Sequence, residues 1–91
     1  MYKIAYNKWA RLDLKRLNEG TAERIIKKIK FYAEQEDPLS FAKQLKGFVP
    51  NRYRFRVGDY RVIFMVDDEN LEIRILVILR IKHRKDIYRL G

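Results

Sequence analysis

Residues 53–64 read YRFRVGDYRVIF, and this stretch decides the fold. Apolar and basic side chains alternate on either side of Gly58-Asp59, a dipeptide typical of a two-residue hairpin turn. The alternation predicts two antiparallel strands, over 53–57 and 60–66, because successive side chains of a strand point to opposite faces of a sheet.

The predicted hairpin places cations opposite one another. Counted from the turn, Arg56 faces Arg61, and Arg54 projects from the same face as Arg56. Opposed like charges destabilise a sheet. An anion bound between them would relieve the repulsion, whereas long side chains that splay into water would reduce it without any ligand. The hairpin is therefore the first candidate for an anion-binding site.

The N-terminal part of the chain predicts a strand followed by two helices. Tyr2–Tyr6 alternates as a short strand, and Asn7 can cap a first helix that ends near Leu17. Thr21 can cap a second helix, in which apolar residues recur every three or four positions from 22 to 33. Such a stripe indicates that this helix packs on an apolar surface.

The remaining segments complete the sheet. Asp37-Pro38 ends the second helix, and a short helix is possible at 41–45. An acidic turn at 67–70 then leads to the last strand, 71–80, whose odd-numbered residues are predicted to face the helices. The predicted fold class is α+β: one domain of 91 residues in which two N-terminal helices pack on a small antiparallel sheet of about four strands.

Composition indicates a small basic protein with an anionic partner. The chain has a formal net charge of +9, no cysteine and one histidine, His83. This charge indicates an anionic partner, which could be nucleic acid, an anionic membrane surface or an acidic protein. The residue inventory offers no disulfide and no cluster of His or Cys ligands. The sequence shows no signal-peptide pattern and no apolar run long enough to span a bilayer. We expect a cytoplasmic protein that contacts no membrane and uses no metal and no cofactor.

Two clusters hold most of the arginines. One lies in and before the hairpin and the other follows the last strand. Their members are Lys43, Lys46, Arg52, Arg54, Arg56 and Arg61, and then Arg80, Lys82, Arg84, Lys85 and Arg89. Arginine can bind phosphate through two parallel hydrogen bonds, so these clusters favour a phosphate ligand. The lysines of the second helix (Lys27, Lys28, Lys30) instead indicate a solvated face.

Arginines, one histidine and tyrosines form a set that can cleave RNA without a metal. The ribose 2′-hydroxyl attacks the adjacent phosphate and the 5′-oxygen leaves, so the enzyme must hold the phosphate in line, stabilise its charge and move protons. Arginines can perform the first two tasks, and a histidine or a tyrosine near cations can perform the third. DNA lacks the 2′-hydroxyl, so this chemistry selects RNA.

Three stretches resemble the RelE/ParE superfamily of toxins from type II toxin–antitoxin systems. Residues 45–47 resemble its Leu-x-Gly motif, residues 53–64 its hairpin Tyr-Arg-x-Arg-x-Gly-x-Tyr-Arg-Val-x-Tyr, and residues 81–89 its closing Ile-Gly-His-Arg-x-x-Val-Tyr-Arg. The order of strand, two helices and three strands also matches that fold over nearly the whole chain. Lysines of the family's hairpin are arginines here, and Lys82 replaces a glycine.

The resemblance to RelE toxins implies an endoribonuclease that cleaves mRNA in the ribosomal A site. It implies catalytic roles for four residues. Arg61 and Arg84 would stabilise the transition state, Tyr88 would act on the 2′-hydroxyl, and His83 would donate a proton. Arg54 and Arg56 match the family's basic pair that binds the RNA backbone, and we expect Lys46 and Lys82, in the same basic clusters, to bind RNA as well.

The same resemblance implies partners and leaves other functions open. Besides the ribosome and mRNA, we expect an acidic, RelB-like antitoxin that covers the basic face in a hetero-oligomer. An apolar strip beside the arginines is either ordinary packing or a docking surface for that partner; its residues are Ile63, Met65, Leu76 and Ile78. The alternatives are a ParE-like inhibitor of DNA gyrase and a non-catalytic RNA- or ribosome-binding module.

Overall fold

A computed structural model describes residues 2–47, 51–70 and 73–87, and it has the predicted α+β fold. In chain order the elements are β1 (Tyr2–Tyr6), α1 (Lys8–Arg16), α2 (Glu19–Ala33), β2 (Lys43–Gln44), β3 (Tyr53–Val57), β4 (Tyr60–Asn70), β5 (Ile73–His83) and α3 (Arg84–Ile87). Across the described ranges, no helix combines the length and the apolar character that crossing a bilayer requires.

The sheet has five strands, in the order β1-β5-β4-β3-β2. β1 runs parallel to β5, and the other pairs are antiparallel. The strand count exceeds the predicted four because the two-residue β2 pairs with β3. The helix predicted at 41–45 is wrong: a turn of 3-10 helix covers Pro38–Phe41, and β2 follows it.

Asparagine side chains cap the N-termini of both long helices. The side-chain oxygen of Asn7 accepts the N–H of Ala10 at 2.8 Å, as predicted for a cap of α1. The cap of α2 is Asn18, which accepts the N–H of Thr21 at 2.8 Å. The prediction that Thr21 caps this helix is wrong, because Asn18 is the stronger capping residue and places Glu19 in the favourable first turn.

The core lies between the two long helices and one face of the sheet. Helix residues Ala10, Ile25, Ile29, Tyr32 and Ala33 meet strand residues Phe55, Val57, Val62, Phe64, Val66, Leu76, Ile78 and Ile81. Three aromatic rings stack through the middle of this core. The Phe55 ring lies 4.5 Å from Tyr32 and 4.3 Å from Phe64, measured between ring centres. The predicted apolar stripe of α2 is therefore confirmed as its buried face.

β4 and β5 are longer than predicted. In β5 the even-numbered residues 76 and 78 face the core, whereas the sequence predicts that the odd-numbered residues do. The backbone ladder continues to the Asn70–Ile73 pair, so the predicted acidic turn at 67–70 is part of β4. Leu76 and Ile78 are fully buried in the core, whereas Val77 is half-buried on the other face. The predicted apolar strip is thus wrong, since two of its four residues belong to the core.

A β-bulge at Leu79 changes the facing of β5 along its length. Ile63 pairs with Arg80 but the next residue, Phe64, pairs with Ile78, so β5 carries one extra residue here. Because one extra residue reverses the alternation, the core-facing position moves to Ile81, which is 4% exposed. The bulge also directs Lys82 away from the core.

Candidate functional site

The face of the sheet opposite α1 and α2, here called the outer face, collects the predicted basic residues of the hairpin. Arg56 is the direct partner of Arg61, which confirms the predicted register, and Arg61 is also the direct partner of Lys82 on β5. These three residues form a line across β3, β4 and β5, here called the cationic row. Opposed cations repel one another, and an anion bound beside the row would reduce that repulsion.

Arg61, at the centre of the row, is held in place by the turn beneath it. Its Nη1 donates to the carbonyl oxygens of Gly58 and Tyr60, both at 3.2 Å. Gly58 adopts a φ of +58°, a value that favours glycine and allows the tight turn. Arg61 is 6% exposed, and α3 contacts both β4 and β5. Arg56, by contrast, is exposed.

Arg54 and Lys46 line a second part of the outer face. Arg54 pairs with Ile63 on β4 and with Lys43 on β2, and it is half-buried. A groove of about 380 Å³ runs beside it, lined by Lys43, Gln44, Leu45, Lys46 and Arg54. Three cations along one groove, next to the cationic row, provide a path for a phosphate backbone.

His83 and Arg84 lie at the junction of β5 and α3. The His83 ring packs edge-on against Tyr60, its partner across the sheet, with ring centres 5.4 Å apart. Its Nδ1 accepts the backbone N–H of Lys85 at 3.2 Å. This bond assigns the proton of neutral imidazole to Nε2, which is therefore the nitrogen able to donate to a ligand.

Arg84 is exposed and is tied to the hairpin turn. Its backbone N–H donates to the carbonyl of Asp59 at 2.7 Å, and its Nε lies 3.7 Å from the Asp59 carboxylate. An exposed ion pair of this kind is weak, so the guanidinium can turn to another anion. Tyr88 lies outside the described residues.

Sequence reasoning missed an ion pair between α1 and β5. Arg80 donates to the Asp13 carboxylate at 2.9 Å and 3.2 Å, and the N–H of Ile81 donates to the same group at 2.8 Å. Arg80 was counted in the second basic cluster, but its charge is neutralised locally. Asp13 lies 67 residues away in sequence, so only the parallel pairing of β1 with β5 could have revealed the contact.

The surroundings of Asp13 set the protonation of this pair. Burial by itself would raise the pKa of Asp13, but hydrogen bonds from Arg80 and Ile81 and the positive charges of Arg80 and Lys82 outweigh it and lower the pKa. The same hydrogen bond raises the pKa of Arg80. Both groups are therefore ionised near neutral pH, and the pair contributes to holding β5 at the bulge.

The part of the chain that the structure describes contains no group of three His, Cys, Asp or Glu side chains placed to hold a metal ion. The outer face presents guanidinium, ammonium and imidazole groups. Together they can bind a phosphodiester and stabilise added negative charge on it.

Comparison with known proteins identifies the class to which this fold and site belong. The family model of the ParE toxin of type II toxin–antitoxin systems matches residues 4–88. Toxin RelG of Mycobacterium tuberculosis is 32% identical over 88 residues, which cover 97% of each chain. Toxin RelE of the same organism is 30% identical over 90 residues, covering 99% of this chain and 89% of that one. The chain belongs to the RelE/ParE superfamily of type II toxin–antitoxin toxins.

Solved structures agree with this assignment. The toxin–antitoxin complex RelBE2 from M. tuberculosis contains a chain with 30% identity and a TM-score of 0.66, covering 91% of this chain and 98% of that one. The archaeal RelE–RelB complex from Pyrococcus horikoshii contains one with 28% identity and a TM-score of 0.68, at 91% and 94% coverage. The described fold is thus the RelE-like fold.

Proposed function

We propose that this toxin is a ribosome-dependent endoribonuclease that cleaves mRNA in the A site and acts in the cytoplasm. The observation that carries the proposal is the cationic row, with Arg61 fixed between Arg56 and Lys82. A rigid guanidinium between two further cations suits a phosphate whose negative charge grows during the reaction.

The roles we propose for the described residues are suggested by their positions, and the role of Tyr88 by the resemblance to RelE toxins. Arg54, Arg56, Lys46 and Lys82 bind the RNA backbone, and Arg61 stabilises the transition state with help from Arg84. Attack of the 2′-hydroxyl on the phosphorus breaks the bond to the 5′-oxygen, leaving a 2′,3′-cyclic phosphate and a 5′-hydroxyl. We assign removal of the 2′-hydroxyl proton to Tyr88, and the Nε2–H of His83 is available to donate to the phosphate or the leaving oxygen.

Single-turnover cleavage of a message on programmed ribosomes tests this function. The unmutated protein should cut the message in the A site, and a double variant, Arg61→Ala with Tyr88→Phe, should not. Full cleavage by the double variant would exclude this mechanism. Failure of the unmutated protein to cleave, together with inhibition of supercoiling by gyrase, would support the ParE-like function, which the matching ParE toxin model favours.

An acidic antitoxin is the proposed partner. The structural relatives from M. tuberculosis and P. horikoshii are toxins in complex with antitoxins. The net charge of +9 and the cations of the outer face favour an acidic segment laid across that face. Co-expression with the neighbouring reading frame should yield a complex, and failure to obtain one would contradict this pairing.

A further inference from the structure

A cleft of about 900 Å³ lies between α2 and the turn that joins β3 to β4. Its lining on α2 is one stripe of the helix, repeating every three or four residues. The stripe consists of Gly20, Glu23, Arg24, Lys27, Lys28 and Phe31, and residues 56–59 form the opposite wall. This stripe lies beside the buried face of α2, so the cleft opens to solvent along the edge of the core.

The cleft carries an excess of positive charge. Four cationic residues border it, Arg24, Lys27, Lys28 and Arg56, against two acidic residues, Glu23 and Asp59. The lysines of α2 are all exposed, as predicted for a solvated face, but only two of them border the cleft. Lys27 and Lys28 line the cleft, whereas Lys30 lies on another side of the helix.

An aromatic ring lies among these cations. Phe31 is 47% exposed, although it packs against Tyr32 and Phe41 with ring centres 5.8 Å and 6.4 Å away. The Lys28 ammonium lies 4.8 Å from the centre of the Phe31 ring. The ring is therefore held in position while nearly half of its surface stays open. A flat exposed ring beside ammonium groups suits a base stacked on the ring and a phosphate on the cations.

Arg56 connects this cleft with the outer face. It lines the cleft, and it is the direct partner of Arg61 in the cationic row. We infer that the cleft is a second RNA-contact site, which binds single-stranded RNA flanking the segment held on the outer face. This inference rests on the proposed function, because it extends the same bound strand around the hairpin turn.

Binding of an uncleavable RNA tests the cleft without requiring catalysis. The probes are 2′-O-methyl oligoadenosines, a short one and one longer by several nucleotides. Lys27→Glu and Phe31→Ser should each weaken binding of the longer probe by about tenfold, the low-to-middle range for loss of a stacked base or a charge contact. Binding of the short probe should change by less than about twofold, because that length is held on the outer face.

Matched controls come from the same helix. Lys30→Glu makes the same charge change, and Ile26→Ser removes an exposed apolar side chain of α2, in both cases outside the cleft lining. Neither control should alter binding of either probe. A longer probe whose added nucleotides are abasic should bind the unmutated protein and Phe31→Ser equally, because it has no base to stack on the Phe31 ring. Arg24→Glu replaces any cleft variant whose thermal unfolding shows that it fails to fold.

The outcomes separate this inference from the proposed function. If Lys27→Glu and Lys30→Glu weakened binding of the longer probe equally, the effect would be non-specific electrostatic attraction. That result would overturn the inference that the cleft binds RNA. Unchanged RNA binding by the cleft variants, with loss of binding to the acidic antitoxin, would assign the cleft to that partner and overturn the inference. If RNA binding depended on the cleft residues but the unmutated protein cleaved no message on ribosomes, the RNA-binding role of the cleft would stand. The proposed endoribonuclease activity would then be wrong.

Discussion

Arginine occurs in opposite settings at two places on the sheet. At the junction of α1 and β5, Arg80 meets the Asp13 carboxylate through two hydrogen bonds. In the cationic row, Arg56 faces Arg61, and no carboxylate of the described residues lies within ion-pair distance of Arg56. The first arrangement stabilises the folded chain by itself. The second places like charges opposite one another, which costs stability, and the function we propose gives a reason for it, because a bound phosphate would offset the repulsion.

The largest expected effect is a difference in cleavage rate between variants of the two arginine settings. Arg61→Ala should lower single-turnover cleavage on the order of 100-fold or more, because it removes a contact that strengthens in the transition state. Arg80→Ala should change the rate by no more than a few-fold while lowering the melting temperature. Rates are corrected for the folded fraction of each variant. Equal losses of rate in both variants would contradict the division of roles.

The next largest effect concerns stability at the α1–β5 junction. Asp13→Ala should lower the free energy of unfolding by about 2 kcal/mol. Removing one partner of a fully buried ion pair costs about 3–5 kcal/mol. The expected loss is smaller here because a third of the Arg80 side chain is exposed. Urea unfolding measures it. In a double-mutant cycle with Arg80→Ala, strictly additive losses would show that the pair contributes nothing.

A smaller effect is the pH dependence of the same junction. The pKa of Asp13 is lowered in the folded chain, so its contribution is complete above the ordinary carboxyl pKa of about 4 and is lost as the pH falls through the folded value. Below that pH, unfolding free energies of the unmutated protein and of Asp13→Asn should converge. The exposed Glu36→Gln serves as the control. A difference that persists to the lowest pH would refute this linkage.

The smallest effect is a gain in stability within the cationic row. Arg56→Gln should raise the free energy of unfolding by a few tenths of a kcal/mol, because it removes one of two opposed charges. The same change should weaken RNA binding and reduce its salt dependence by about 0.7 in the logarithmic slope, the value for one phosphate contact on a single strand. Loss of stability on this substitution would argue against repulsion across the row.

Local signals were sufficient to predict the hairpin and the pairing of its arginines. Gly58-Asp59 fixes the turn, and the turn fixes which residues are paired, so Arg56 opposite Arg61 follows from counting. The stripe of α2 likewise identified its buried face, since Ile25 and Ile29 are fully buried. In both cases the deciding information lies within a few residues of the element it describes.

The facing of β5 and the Asp13–Arg80 pair could not be predicted in this way. Residues 75–79 are apolar at every position, so the sequence pattern gives no preference for which of them face the core. The bulge at Leu79 then reverses the alternation of side chains partway along the strand. Asp13 meets Arg80 only because β1 and β5 pair in parallel. Both features depend on contacts between segments that are far apart in sequence.

The parallel pairing of β1 with β5 also bears on how the chain folds during its synthesis. β1 leaves the ribosome well before its partner, residues 73–83, because most of the described fold lies between them in sequence. Contacts of such long sequence separation form slowly, because the intervening chain must be ordered before they can form. The hairpin can form first, but the sheet is complete only after β5 has been synthesised. Until then β1 has no partner strand, so a nascent chain that stops short of β5 cannot adopt the full fold.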